Sequence, residues 1–290
     1  MDTTAPNAPA VTSAALSNSA TPIIGGTAET GSTVTVTVGG ATYTTTATNG
    51  TWSLNLATAT PTSGTLSLNA NGTNAVSATA TDAAGNVSSA GTQTLTIDTT
   101  VPNAPTVTTA LSNSTTPTLT GAAETGSTVT VTVGGATYTT TATNGTWSLN
   151  LATATPTSGT LSLNANGTNA VSATATDAAG NVSSAGTQTL TIDTTVPNAP
   201  TVTTALSNST TPTLTGAAET GSTVTVTVGG ATYTTTATNG TWSLNLATAT
   251  PTSGTLSLNA NGTNAVSATA TDAAGNTSSA GTQTLTIDTT

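Results

Sequence analysis

The sequence has no lysine, arginine or histidine among its 290 residues, whereas it has ten acidic residues and a formal net charge of −10. Binding to the phosphates of a nucleic acid depends on lysine and arginine, and docking on an anionic membrane surface depends on the same side chains. We therefore expect neither partner. Cysteine is also absent, which excludes disulfide bonds and thiolate metal sites without fixing the compartment.

Long apolar runs are missing as well, and Met1 leads directly into repeated sequence. We therefore expect no transmembrane helix and no signal peptide, and we expect the chain to be a portion of a longer protein. Without histidine or cysteine, no hydroxyl has an obvious general base beside it, so we expect no enzyme. A glycosidase would need a pair of carboxylates such as Asp82 and Glu29 in a cleft with aromatic platforms, and this alternative is weak.

One unit of sequence occurs three times. The sequence Asn-Gly-Thr-Trp starts at Asn49, Asn144 and Asn239, so each copy follows the last by 95 residues. The second and third copies differ only where Val182 is replaced by Thr277, and the first copy has one extra residue near its start. A period of this length is the size of a small domain. The predicted domains are residues 1–97, 98–192 and 193–290.

Valine alternates with threonine at Val34, Val36 and Val38, which predicts a strand with one buried face. Similar alternation and turn signals such as Asn49-Gly50 predict seven strands per copy, in the first at about 8–13, 21–26, 33–38, 42–47, 51–56, 74–81 and 92–97. This pattern predicts an all-β chain of three tandem immunoglobulin-like β-sandwich domains. Because an odd number of strands places the two ends at opposite poles, we expect an extended rod.

The ten acidic residues are expected in loops at the domain junctions. They sort into three predicted triads and one remainder: Asp2, Glu29 and Asp82; Asp98, Glu124 and Asp177; Asp193, Glu219 and Asp272; and Asp288. Because no side-chain cation can pair with them, we expect structural Ca²⁺ at each junction; Zn²⁺ is disfavoured and Mg²⁺ usually keeps several waters. Each aspartate taken alone is most often a turn former, and it is the joint pattern of the ten residues that favours Ca²⁺. Asp98 and Asp193 would lock the two internal joints.

Several segments together resemble bacterial Ig-like repeats: Thr96–Pro105, Ala123–Val129, Gly145–Leu149 and Ala175–Asn181. Such repeats form the extender regions of giant RTX-type and biofilm-associated surface adhesins. The resemblance implies an extracellular spacer on a bacterial surface, secreted by a type I system, that binds Ca²⁺ at its junctions and projects a distal adhesive tip. It implies a monomer whose partners are the neighbouring repeats of the same chain.

The main alternative is a carbohydrate- or protein-binding module that acts through its loops. Trp52, Trp147 and Trp242 would be the sugar-stacking residues. Each of them alternates in phase with two leucines, however, so we expect these side chains in the core. Asn-X-Ser/Thr triplets at Asn49 and Asn71 match a glycosylation signal, and in a bacterial protein they would indicate only turns.

Overall fold

A computed structural model describes residues 2–290, and all of its regular secondary structure within that range is β. The first repeat contains eight strands: β1 Ala10–Val11, β2 Leu16–Ser17, β3 Ile23–Thr27, β4 Thr33–Val38, β5 Ala41–Thr46, β6 Thr51–Asn55, β7 Asn71–Thr81 and β8 Gly91–Asp98. The second contains seven: β9 Leu111–Ser112, β10 Thr118–Ala122, β11 Thr128–Val133, β12 Ala136–Thr141, β13 Thr146–Asn150, β14 Asn166–Thr176 and β15 Gly186–Asp193. The third also contains seven: β16 Leu206–Ser207, β17 Thr213–Ala217, β18 Thr223–Val228, β19 Ala231–Thr236, β20 Thr241–Asn245, β21 Gly262–Thr271 and β22 Gly281–Ile287.

Two sheets pack face to face in every repeat. In the first, β1-β3-β6 faces β5-β4-β7-β8-β2; the corresponding sheets are β10-β13 and β12-β11-β14-β15-β9, then β17-β20 and β19-β18-β21-β22-β16. The prediction of three tandem immunoglobulin-like sandwiches is confirmed. One detail differs: the first predicted strand, 8–13, is short, and the chain then crosses to the other sheet as β2, which the sequence pattern did not indicate.

The crossing strand fixes where the chain enters and leaves each repeat. β2 pairs in parallel with the last strand β8, through Leu16 with Thr96 and Ser17 with Ile97. The second and third repeats have the same parallel pairing between β9 and β15 and between β16 and β22. Because β2 and the last strand β8 run in the same direction, as do the corresponding strands of the other repeats, the chain enters at one end of the sandwich and leaves at the other. This result follows from strand direction rather than from an odd strand count, since the first repeat has eight strands and not the predicted seven.

The core of each repeat is built from the alternating apolar residues. Val34 and Val36 are fully buried, whereas Thr33 and Thr37 are exposed and Thr35 is half-buried. Trp52, Trp147 and Trp242 are only 4%, 2% and 2% exposed, so the prediction that they belong to the core is confirmed. Fully burying a valine or leucine side chain stabilises the folded state by about 1.5–3 kcal/mol, and small aliphatic residues supply most of these cores.

The first repeat differs from the others around its tryptophan. Trp147 Nε1 donates to the Thr106 carbonyl at 3.0 Å, and Trp242 makes the equivalent bond, but Trp52 Nε1 is buried without an acceptor. The extra residue of the first copy lies in this region, where the main-chain nitrogens of Thr12 and Ser13 both donate to the Gly25 carbonyl. The Ser13 hydroxyl is also buried without a partner. The inserted residue therefore leaves polar atoms unsatisfied.

We predict that the first repeat is the least stable of the three. A buried polar atom without a partner costs about 1–3 kcal/mol, so deleting Ser13 should stabilise the first repeat by an amount of this order. The reciprocal variant, a serine inserted between Thr108 and Thr109, should destabilise the second repeat. Urea unfolding followed by NMR of fluorinated tryptophan separates the repeats, because each contains one tryptophan. Equal midpoints for the Trp52 and Trp147 signals in the unaltered chain would contradict the prediction.

Candidate functional site at the repeat junctions

The predicted acidic residues occupy three kinds of position. Asp98 and Asp193 are the last residues of β8 and β15, paired with Asn71 and Asn166 respectively. Asp82, Asp177 and Asp272 directly follow β7, β14 and β21 and are half-buried. Glu29, Glu124 and Glu219 are exposed in the loops between β3 and β4, β10 and β11, and β17 and β18. Asp2 lies before β1, and Asp288 lies after β22. The paired position of Asp98 means that the strand pairing of the first repeat includes a residue that the predicted boundary assigned to the second.

The loop Asp177–Asn181 is held together by its own first carboxylate. Asp177 Oδ1 accepts from the Asn181 main-chain nitrogen at 2.8 Å, and Oδ2 accepts from Asn181 Nδ2 at 2.8 Å. The Asp177 carbonyl also accepts from the Gly180 nitrogen at 3.2 Å. The same bonds recur from Asp82 to Asn86 and from Asp272 to Asn276. These contacts are those of a turn former.

Hydrogen bonding shifts the titration of this carboxylate. Partial burial alone would raise the pKa of Asp177, but the hydrogen bonds from the Asn181 side chain and main chain outweigh it and hold the pKa below its ordinary value of 3.8. The pKa of Asp272 is lowered by the same balance, with Asn276 as the donor. At Asp82 the side-chain bond from Asn86 is the largest effect, and it too lowers the pKa. The ionised form is therefore the one that each loop stabilises.

The asparagine of this loop also reaches the preceding repeat. Asn181 Nδ2 donates to the Asp98 main-chain carbonyl at 2.8 Å, and Asn276 Nδ2 donates to the Asp193 carbonyl at the same distance. The Asp98 carboxylate instead accepts from the Thr100 nitrogen at 2.9 Å. Asp98 thus meets the next repeat through its main chain. The sequence interpretation missed Asn181 and Asn276, although the spacing Asp-X-X-X-Asn in every copy was a signal for them.

The third member of each predicted triad makes different contacts. The Glu124 carbonyl accepts from the Ser127 nitrogen at 3.1 Å and from its hydroxyl at 2.7 Å, while the side chain is exposed. Across residues 2–290, no group of three or more acidic side chains is close enough together to hold a metal ion. The structure therefore does not gather Asp98, Glu124 and Asp177 into one carboxylate cluster, and metal binding by the ten residues stays a prediction.

A hard cation would have to be held by a smaller set of oxygen atoms. Asp98 O and Asp177 Oδ2 both lie 2.8 Å from Asn181 Nδ2, so two oxygens already converge on one point. Rotation of the Asn181 amide by a half turn exchanges its nitrogen for Oδ1, and the two orientations differ only in hydrogen bonding. Ca²⁺ binds carboxylate, amide and main-chain oxygens, with water able to complete its 6–8 ligands. The donor set fits Ca²⁺ on these grounds, with Asp98, Asp177 and Asn181 as the residues that would hold it.

No other part of the described chain offers a comparable arrangement. Because the three tryptophans are buried, a sugar-stacking role for them does not fit their positions. None of the described residues forms a helix long and apolar enough to cross a membrane. The repeated junction is therefore the candidate site.

The fold and its junctions define a tandem immunoglobulin-like β-sandwich protein. A family model described as the bacterial Ig-like domain matches residues 8–99, 106–194 and 201–289. The chain belongs to this bacterial Ig-like domain family. It matches no curated protein.

Solved structures similar to the chain include two from adhesins. One is a tetra-tandem repeat in the extending region of a large adhesion protein, at 25% identity and a TM-score of 0.30, covering 100% of this chain and 76% of that one. Another comes from work on host cell surface retention of a 1.5-MDa bacterial ice-binding adhesin, at 27% identity and a TM-score of 0.30, covering 93% and 91%. The chicken CNTN1 FN1–FN3 domains match at 10% identity and a TM-score of 0.40, covering 97% and 99%. The family assignment rests on the three matched segments.

We predict that acid destabilises the repeats through these loops. Because the folded-state pKa of Asp177 and Asp272 is below 3.8, their stabilising contribution is complete above that pH and is lost as the pH falls through the folded-state value. Tm should therefore be nearly constant at mildly acidic pH and decrease steeply below pH 3.8. The variant with asparagine at positions 82, 177 and 272 should show a shallower decrease. An equally steep decrease in that variant would assign the acid sensitivity to other carboxylates.

Proposed function

We propose that the chain is a spacer: an extender region of a bacterial cell-surface adhesin, in which the Ig-like repeats are arranged end to end. In this proposal the protein is extracellular, reaches the surface by type I secretion, and projects a distal adhesive region for cell adhesion or biofilm formation. The parallel pairing of the first and last strands is the observation that carries it, because each repeat receives the chain at one end and releases it at the other. Membership in the bacterial Ig-like domain family supports the surface location.

The short connection between repeats supports the same proposal. Asp98 is still paired in the last strand of the first repeat, yet its carbonyl already accepts a hydrogen bond from Asn181 of the second. No flexible segment of Gly and Ser separates the two contacts. Each repeat would therefore add close to its full length to the molecule.

Removal of the middle repeat tests the spacer. Deletion of residues 98–192 joins Ile97 to Asp193 and preserves the repeat, and an end-to-end chain should lose about a third of its maximum dimension, or roughly 40 Å for a sandwich of this strand length. Compact packing of the repeats would reduce the radius of gyration by only about 14%. Small-angle scattering of both proteins, with their masses checked by light scattering, distinguishes the end-to-end arrangement from compact packing. A decrease of only about 14% in the radius of gyration would contradict the spacer.

The proposal includes structural Ca²⁺ at the junctions, which would stiffen each joint. The absence of any lysine, arginine or histidine supports it, because the carboxylates of Asp98 and Asp177 have no side-chain cation to pair with. Asp98, Asp177 and Asn181 would hold the ion at the first joint, and Asp193, Asp272 and Asn276 at the second. When bound, the ion would supply positive charge and oxygen coordination between two repeats.

We expect Ca²⁺ to raise Tm and a chelator to reverse the effect. Free Ca²⁺ at 100 times the dissociation constant would stabilise each site by about 2.7 kcal/mol. Calorimetric titration should find one fewer ion in Asp177→Asn than in the unaltered chain, because this substitution removes a charged ligand from the first joint. Asp288→Asn is the matched control, since no repeat follows Asp288 in the chain, and it should leave both joints unchanged. Identical melting curves with Ca²⁺ and with chelator would refute the calcium part while leaving the spacer intact.

A further inference from the structure

Equivalent leucines of the three repeats differ in their exposed fraction, and the difference indicates where one repeat covers part of another. Leu206 of the third repeat is 72% exposed, whereas the equivalent Leu111 of the second is 42% exposed and Leu16 of the first is 37% exposed. The second and third repeats have the same sequence around this leucine, so sequence does not account for the difference. A further repeat follows that of Leu111 within residues 2–290, whereas the repeat of Leu206 is the last one that the structure describes. The following repeat therefore covers part of the surface formed by the strand that crosses between the sheets.

The covering surface is the loop that contains the bridging asparagine. Asn181 and Asn276 are buried, whereas Asn86 of the first described repeat is half-buried. A Cβ placed on Gly180 would lie 3.4 Å from Asn18 Nδ2, so this loop of the second repeat touches the turn after β2 in the first. At the second joint a Cβ on Gly275 would lie 3.5 Å from Asn113 Nδ2. Both joints have the same interface.

The connecting residues are also held from the preceding repeat. Asn71 Oδ1 accepts from the Thr99 nitrogen at 2.8 Å, from the Thr99 hydroxyl at 3.0 Å and from the Thr100 hydroxyl at 3.3 Å. At the second joint Asn166 Oδ1 accepts from the equivalent atoms of Thr194 and Thr195. At the first joint, Asn71 Oδ1 thus holds Thr99 and Thr100 directly after β8. The carbonyl of Asp98, the residue before them, is held by Asn181 of the next repeat.

We propose that Asn71 and Asn181 form an amide clasp that couples the first two repeats without a metal ion, and that Asn166 and Asn276 form the same clasp at the second joint. The partner that this surface fits is the next repeat of the same family. Asn71 is a positioning residue: it orders the linker so that the Asp98 carbonyl faces Asn181 Nδ2. The biological meaning of the clasp rests on the proposed spacer function, but its existence can be tested without it.

The expected size of the effect follows from the bonds that are lost. A typical hydrogen bond contributes about 0.5–1.5 kcal/mol, and a factor of ten in an equilibrium constant corresponds to about 1.4 kcal/mol. Replacing Asn71 with alanine removes one acceptor shared by three exposed donors, of which only the Thr99 hydroxyl has a second acceptor, the Ala70 carbonyl at 3.4 Å. The population of open joints should therefore rise by about tenfold.

Spin-label distances measure the two joints separately. The chain has no cysteine, so cysteines introduced at the exposed residues Thr44, Thr139 and Thr234 can be labelled uniquely in pairs. The pair at 44 and 139 reports on the first joint, and the pair at 139 and 234 reports on the second. All measurements are made in chelator. Asn71→Ala should broaden only the first distance distribution and Asn166→Ala only the second, whereas Asn261→Ala, at the same position in a repeat without a follower, should broaden neither.

The opposite side of the clasp provides an independent variant. Asn181→Ala should broaden the first distribution, and Asn86→Ala, which alters the same loop in the first repeat, is its control. If Asn71→Ala and Asn181→Ala leave the first distribution as narrow as in the unaltered chain, the clasp is refuted. If distributions in the unaltered chain are already broad in chelator and become narrow only with Ca²⁺, the metal rather than the amides holds the joint, which also refutes the clasp. Neither result depends on the change in maximum dimension that tests the spacer.

Discussion

No side chain in this protein can form an ion pair with any of its ten carboxylates, because lysine, arginine and histidine are absent. Each buried or half-buried carboxylate must therefore be satisfied by hydrogen bonds, by water or by a bound cation. Asp177 shows the hydrogen-bonded solution: both of its oxygens accept from Asn181. Amides thus take the place that cationic side chains have in most proteins, and the same amides connect one repeat to the next.

Hydrogen bonds from side-chain amides differ from ion pairs in how they respond to solution conditions. A neutral donor and a main-chain carbonyl, such as Asn181 Nδ2 and Asp98 O, are little affected by salt, whereas exposed ion pairs are screened. The asparagine that closes the joint is also the residue whose rotation would present a third oxygen. The proposed clasp and the proposed calcium site share Asn181 and the Asp98 carbonyl, but the clasp uses Asn181 Nδ2 whereas the ion would use Asn181 Oδ1.

The topology of the repeat determines what these joints can do. The chain crosses from one sheet to the other between β1 and β2, so that β2 runs parallel to β8. An antiparallel pairing of the first and last strands would have returned the chain to the end at which it entered. With parallel terminal strands, a short linker is enough to continue into the next sandwich. Family membership, strand direction and the joint contacts together support the spacer.

The sequence alone determined the number of repeats, through the 95-residue repeat, and most of the strands and core, through local periodicity. It did not indicate β2, whose pairing with β8 depends on residues far apart in the chain. Val34, Val36 and Val38 alternate with threonine, and because successive side chains of a strand point to opposite faces of the sheet, the three valines lie on one face. The tryptophans were placed in the core for the same reason. The sequence predicted the acidic residues in junction loops as carboxylate triads, whereas the structure places Asp98 and Asp193 at the ends of strands and does not bring the triads together. The Asp98 carboxylate makes only a local bond, from the Thr100 nitrogen two residues away, whereas tertiary structure brings the Asp98 carbonyl to Asn181. That outcome depends on residues more than 80 positions apart, and only folding brings them together.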